Sequence, residues 1–281
     1  MSPSKITVFA PGLIGGSVAL ACSHFFPQAK LAIWTRRPES LPRIRTALPK
    51  AEVGTDPGLA RSSDLVVLAT PPTALPDLVR SILPHLSPSS MVTDVSSVKE
   101  SVEENIAPLL KDKARWIGSH PMAGSEDSGL SAARAGLFQN APVILTPTAS
   151  TSAATLKDAT SFWIALGARV ISMSPQIHDD QVARISHLPH FLAAALVLAA
   201  GKGPLPLAGP GYRDTTRVAA GPARLWAEIL LQNRRGVLSA IREFRSATDN
   251  LFAALENGDA QSLEKILDEA AGIRRTLPPL S

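Results

Sequence analysis

Six histidines stand among the 281 residues, and imidazole is the side chain whose ordinary pKa, about 6.5, suits proton transfer near neutral pH. His120 keeps the most suggestive company. The stretch Ser119-His120-Pro121-Met122-Ala123-Gly124-Ser125-Glu126 sets one ring among small residues after an apolar segment, with a carboxylate six positions on. Such a ring is either a proton acceptor or a turn residue that titrates, and its immediate neighbours do not decide between them. His24 and His85 fall in surface helix ends or loops, whereas His178, His187 and His190 lie in patterned contexts later in the chain.

A second group of residues is built for phosphate. Ile6-Thr7-Val8-Phe9-Ala10-Pro11-Gly12-Leu13-Ile14-Gly15 reads as a strand, a glycine turn and a helix start, which points backbone N–H groups and a helix dipole at a pyrophosphate. Ala10 stands where the dinucleotide fingerprint has its first glycine and must make the tight turn. Gly12 would let the phosphates approach, and Gly15 would let helix meet strand. Thr70-Pro71-Pro72 follows a later strand and would border the nicotinamide pocket, although proline also simply ends strands. The end of the second strand reads Ile33-Trp34-Thr35-Arg36-Arg37-Pro38-Glu39. An acid there usually binds a ribose 2′-OH, but a hydroxyl and two guanidinium groups suit a 2′-phosphate. The expected cofactor is NADP in preference to NAD, the alternative being that Arg36 and Arg37 are solvated and Glu39 serves the ribose.

These side chains need a scaffold, and the first half of the chain writes one by alternating short β-branched runs with helical patterns. Strands are expected at Ile6–Phe9, Leu31–Trp34, Leu65–Ala69, Met91–Asp94, Trp116–Ser119, Val143–Thr146 and Arg169–Met173, with helices starting near Gly12, Pro76, Lys99 and Thr151. The pattern predicts an α/β fold, an N-terminal Rossmann-type doubly wound, mostly parallel sheet over residues 1–175. Residues 176–281 are expected to form a C-terminal all-helical domain, with helical periodicity at Ile177–Ala200, Pro222–Leu255 and Ala260–Arg275 and a loop-like Gly201–Thr215. Phe191-Leu192-Ala193-Ala194-Ala195-Leu196-Val197-Leu198 is apolar on more than one face, so a second copy of the chain is expected to cover it as a homodimer.

Composition narrows the partners. The chain is 45% hydrophobic and 19% charged, with a net charge of +4, but its basic residues are scattered and a single tyrosine offers no stacking platform. Nucleic acid is therefore not expected, and small anionic ligands account for the charge. One cysteine, Cys22, excludes an internal disulfide and a cysteine-based zinc cage, and no metal is expected. The longest apolar run, Phe191–Ala200, is short of the roughly 20 residues of a membrane span. With a strand beginning at Ile6, the sequence leads to the expectation of a cytoplasmic protein without a leader.

Five motifs in order, Gly12-Leu13-Ile14-Gly15-Gly16-Ser17, Asp94-Val95-Ser96-Ser97-Val98-Lys99, His120 to Glu126, Ser186-His187-Leu188-Pro189-His190 and Gly211-Tyr212-Arg213-Asp214-Thr215-Thr216-Arg217, resemble the prephenate/arogenate dehydrogenase family of tyrosine biosynthesis. The resemblance runs from Ile6 to the Trp226 and Asn233 region. It implies a nucleotide-binding domain, a helical dimerisation domain, and a reaction in which a ring alcohol loses hydride while the ring carboxylate leaves as CO2. It also implies roles: His120 as proton acceptor, Ser97 as its hydroxyl partner, Arg217 for the ring carboxylate, His187 and Trp226 in the substrate site, and Glu126 closing the pocket. Outside those roles, His190 is expected to pack in the helix interface and His178, with Asp179, to act as a cap or hinge. Lys99 either binds a phosphate or carboxylate or merely starts a helix. The rival expectations are another two-domain NADP-dependent dehydrogenase, of the β-hydroxyacid or pyrroline-carboxylate type, and a non-catalytic NADP-binding sensor.

Overall fold

In the computed structural model, which describes residues 3–124 and 129–277, the first half builds one eight-stranded sheet. In chain order the elements are β1 (Lys5–Phe9), α1 (Leu13–Phe25), β2 (Lys30–Trp34), α2 (Leu41–Ala47), β3 (Glu52–Gly54), β4 (Leu65–Leu68), α3 (Leu75–Ile82), β5 (Met91–Asp94), α4 (Glu100–Leu110), β6 (Arg115–Pro121), β7 (Pro142–Thr146), α5 (Ala153–Ala165) and β8 (Arg169–Ser172). The strand order β3-β2-β1-β4-β5-β6-β7-β8 reverses direction between β1 and β4. Ligands bind at such a switch point in open α/β sheets, outside the carboxyl ends of the strands.

Alternation along each strand explains why helices cover both faces. Ile6, Val8, Leu65 and Val67 turn to one side, where Val18, Ala19 and Cys22 of α1 and Phe162 and Trp163 of α5 meet them. Phe9, Val66, Leu68 and Val92 turn to the other, against Leu75 and Val79 of α3 and Val102 and Ile106 of α4. Cys22 is buried in the first of these cores.

Two departures from the expected pattern have simple causes. β3 and α2 fall in a stretch read as connection, because three residues of strand leave no periodicity to count. β6 runs to Pro121, two residues beyond the expected end, and β7 pairs with it antiparallel, Ser119 opposite Leu145 and His120 opposite Ile144. A parallel return needs a crossover element, and only a short 3-10 turn at Leu130–Ala132 is described between β6 and β7.

The second half comprises α6 (Pro175–Val182), α7 (Leu188–Ala200), α8 (Pro210–Thr216), α9 (Ala223–Gln232), α10 (Arg234–Glu256) and α11 (Ala260–Arg275). The expected loop Gly201–Thr215 therefore contains most of a short helix, and the expected Pro222–Leu255 helix breaks at Asn233, whose φ and ψ are −101° and 36°. α6, a π-helical turn Ala183–His187 and α7 run on without interruption. The π turn sits just before Pro189, which cannot donate to the carbonyl of Ile185 four residues back and whose ring would collide with it. This 26-residue helix, Pro175–Ala200, has the length and apolar composition to cross a membrane, which the shorter apolar run in the sequence did not suggest. Its inner stripe, however, carries buried His178, Asp179, His187 and His190. The first three of these are hydrogen-bonded to other parts of the protein, as a docking helix requires.

Candidate active site

A cleft of about 650 Å3 opens at the switch point, between the carboxyl ends of the strands and the helical half. On the sheet side Gly12, Leu13, Ile14, Gly15, Thr70, Ser97 and His120 line it; on the helical side Ser186, Arg217 and Trp226 do. Sequence motifs separated by more than 200 residues thus share one wall-to-wall space.

The glycine turn is shaped by close contacts. Ala10 adopts φ +66°, a left-handed conformation that glycine takes more easily, while its amide donates to Trp34 O at 3.0 Å. A Cβ on Gly15 would lie 2.4 Å from Ala10 O and 2.7 Å from Ala69 Cβ, so helix and strand meet there with no room for a side chain. A Cβ on Gly12 would meet nothing within 4 Å. Gly12, the N-cap of α1, has no side chain to offer the first-turn N–H groups, which leaves them to an anion at the cleft. Thr35, Arg36 and Arg37 follow β2, next to that turn but outside the cleft's lining. Thr35 is buried, its hydroxyl accepts from Arg37 N at 3.2 Å, and both arginines are exposed. Thr70 Oγ1 is buried at the cleft without a hydrogen-bond partner among the described residues.

His120 is the next-to-last residue of β6 rather than part of the loop after it. Its Nδ1 lies 2.8 Å from His178 Nε2, and His178 Nδ1 lies 2.7 Å from Asp179 Oδ1. Asp179 also accepts from Lys99 N at 2.8 Å and Glu100 N at 2.9 Å, so it caps α4 from across the junction. The cap expected near His178 thus belongs to Asp179 and serves another helix; α6 has its own cap, Ser174. Burial, reinforced by His178, Lys99 and His187, holds the His120 pKa well below 6.5. Burial also lowers His178, against the opposing pull of Asp179.

Lys99 meets a carboxylate inside the protein: its buried ammonium pairs with Asp94 and donates to Ser119 O at 2.8 Å. Asp94 in turn accepts from Ser96 N and Ser119 N, at 2.9 and 3.2 Å. This ion pair fixes the ends of β5 and β6, between which Ser97 and His120 project. His187 is buried behind the cleft, its Nδ1 3.1 Å from Asn233 Nδ2, and its Nε2 has no partner among the described residues. Burial lowers its pKa to about 4. His190 stacks on Trp226 with ring centroids 3.6 Å apart, in the helix interface where packing was expected. Asn233, which sequence reasoning gave no role, also donates to Asp179 O at 2.7 Å. Glu126 lies outside the described residues.

Two family models match the chain. The prephenate dehydrogenase nucleotide-binding domain covers residues 49–172, and the prephenate dehydrogenase dimerization domain covers residues 174–269. The chain is 33% identical to a cyclohexadienyl dehydrogenase of Zymomonas mobilis, over 97% of this chain and 95% of that one. Among solved structures, Synechocystis arogenate dehydrogenase superposes with a TM-score of 0.85 at 33% identity, covering 96% of this chain and 99% of the other. A prephenate dehydrogenase from A. aeolicus, in complex with hydroxyphenyl propionate and NAD+, superposes with a TM-score of 0.89 at 28% identity, covering 98% of both. With both halves matched and a relative of this identity along nearly its whole length, the chain belongs to the prephenate dehydrogenase family.

Proposed function

We propose that this chain catalyses the oxidative decarboxylation of prephenate, arogenate or both, in tyrosine biosynthesis, with NADP as the preferred hydride acceptor. The observation that carries the reading is that His120, Ser97 and Arg217 border the same cleft as the Gly12–Gly15 turn. Neither a β-hydroxyacid or pyrroline-carboxylate dehydrogenase nor a binding-only sensor draws support from a family match over both halves.

Bound at the glycine turn, the dinucleotide supplies a nicotinamide ring that accepts hydride. The first-turn N–H groups of α1 would hold its pyrophosphate, Gly12 leaves room for it, and the Thr70 hydroxyl beside the pocket has no partner among the described residues. The protein's own chemistry is then a single proton transfer plus positioning. Neutral His120 takes the proton of the ring hydroxyl as the C–H bond breaks, and Ser97 aligns that hydroxyl. Arg217 grips a substrate carboxylate with a fork that suits a planar anion. His187, whose Nδ1 accepts from Asn233, keeps its proton on Nε2 and backs the helical wall of the site from behind its lining. Trp226 walls the cleft. Loss of CO2 aromatises the ring, so the substrate supplies much of the driving force and alignment most of the catalysis. Turnover of each substrate, followed by the rise of reduced nicotinamide absorbance, tests the proposal: a rise with neither overturns it.

For the cofactor, Arg36 and Arg37 favour the 2′-phosphate, so kcat/KM with NADP should exceed that with NAD. The double variant R36A/R37A should erase the difference while leaving NAD turnover within about twofold, because NAD carries no 2′-phosphate for the arginines to hold. Wild-type kcat/KM equal for the two cofactors, or higher for NAD, would show the arginines to be solvent-facing charges only.

The two glycines separate binding from folding. Gly12→Ala should leave the thermal midpoint unchanged, since its Cβ meets nothing within 4 Å, yet weaken dinucleotide binding at least tenfold by occupying the phosphate's approach. Gly15→Ala should lower the midpoint as well, because its Cβ would lie 2.4 Å from a backbone oxygen that cannot step aside. Dinucleotide binding unchanged in Gly12→Ala would mean the turn is not a phosphate cradle.

The partner proposed for the helical half is a second copy of the chain, matching the dimerization-domain description of its family model. Ile185, Leu198, Leu231, Phe252, Leu255 and Ile273 are all more than half exposed there, a large apolar area for a lone protomer.

A further inference from the structure

We infer that His178 is a positioning residue for the reaction, forming with Asp179 a relay that fixes the catalytic tautomer of His120 from the helical side of the junction. The inference rests on the proposed function for its chemistry, but on geometry alone for its chain of donors and acceptors. Asp179 offers its carboxylate oxygens to three N–H groups: Lys99 N, Glu100 N and His178 Nδ1. His178 therefore carries its proton on Nδ1, and its Nε2 becomes an acceptor. The atom that Nε2 meets, at 2.8 Å, is His120 Nδ1, which must then be the protonated nitrogen of that ring. His120 lines the cleft, so the lone pair left on Nε2 is the one that can receive a substrate proton. The two rings stand nearly edge to face, with centroids 5.0 Å apart at 64°.

The relay crosses from one half of the fold to the other. His120 belongs to β6 of the sheet, and His178 and Asp179 to α6. Asp179 is anchored at both of its polar groups, its carboxylate by the start of α4 and its carbonyl oxygen by Asn233 Nδ2 at 2.7 Å. All three relay residues are buried, at 7%, 0% and 0% exposure, so water cannot replace a missing member cheaply. The consequence is that docking of the helical half, and not the sheet alone, makes His120 a competent base. The residues facing the pair from neighbouring elements are Lys99 and Asp94 from the ends of α4 and β5, and His187 from the π turn.

His178→Leu removes the acceptor and keeps the bulk apolar; His178→Gln keeps one acceptor and one donor on the same side chain. The leucine variant should lose about 10- to 100-fold in kcat with KM within about threefold, and the glutamine variant should recover most of that loss, as expected for a group that orients another. Leucine-variant kcat within twofold of wild type would overturn the relay. A second measurement does not depend on the variants folding. In 15N-histidine-labelled wild-type protein, with the His120 signals identified by their absence from His120→Asn, the proton should reside on Nδ1. A proton on Nε2 of His120 in the resting enzyme at neutral pH would overturn the inference. If wild-type protein turns over neither prephenate nor arogenate, the proposed function fails, while the tautomer still decides the relay.

Discussion

Replacing His120 by asparagine should lower kcat about 10²- to 10⁴-fold, the usual contribution of a positioned general base, while KM for the substrate stays within about threefold. Asparagine retains a donor that reaches His178 but has no basic nitrogen, so it removes the proton transfer and little else. The pH dependence gives an independent check on the same residue. Burial, with His178, Lys99 and His187 adding to it, depresses the His120 pKa. In the proposed mechanism the neutral ring is the active form, so activity is lost as pH falls through this lowered pKa and is complete above it. The acid limb of kcat/KM in the wild-type enzyme should therefore lie below pH 6.5, and it should be missing from the residual rate of the asparagine variant. An acid limb centred above 6.5, or one that survives the substitution, would assign the titration to another group.

The scaffold around His120 was readable wherever a local rule writes it. Ile6–Phe9 and Leu65–Leu68 are short β-branched runs between turn residues, and Gly12 and Gly15 report backbone approaches that only a missing Cβ permits. The antiparallel β7 was also within reach, because among the described residues between Pro121 and Pro142 only the short 3-10 turn Leu130–Ala132 is helical. The π turn has a local cause in Pro189, but a proline is equally compatible with a kink or a helix end, so the altered phase of His187 could not be read in advance. The relay was beyond sequence reasoning for another reason. His120 and His178 are 58 positions apart, and their contact depends on how α6 docks on the sheet. That docking is set by Asp179 capping α4 and by Asn233, a residue whose position in the sequence looks like the interior of one long helix. The same holds for Lys99. Its type suggested an anion, but only the fold reveals that the anion is Asp94 and that the pair sits behind the site instead of in it.

Arg217→Ala should raise KM for prephenate about 10- to 150-fold, the equivalent of the roughly 1.5 to 3 kcal/mol of a hydrogen bond to a charged group. In the proposed mechanism the fork acts on a carboxylate that is charged from binding until it departs as CO2, so its contribution falls on ground state and transition state alike. An interaction of that kind appears in KM, with kcat changed far less. Arg217→Lys should lie between the two, since an ammonium keeps the charge but cannot hold both carboxylate oxygens in one plane. The arginine stands at the start of the 3-10 turn Arg217–Ala220, after α8, and borders the cleft. Arg213, one turn earlier, is exposed, donates to Ala208 O at 3.1 Å and does not border it. Arg213→Ala is therefore the matched control: it removes the same charge from the same helix end and should leave KM within about twofold, since a solvated charge outside the cleft steers an anion only weakly. Equal increases in KM for the two variants would mean that a diffuse positive field, and not a fork at Arg217, attracts the substrate. Unchanged KM in Arg217→Ala would remove this side chain from the substrate site altogether.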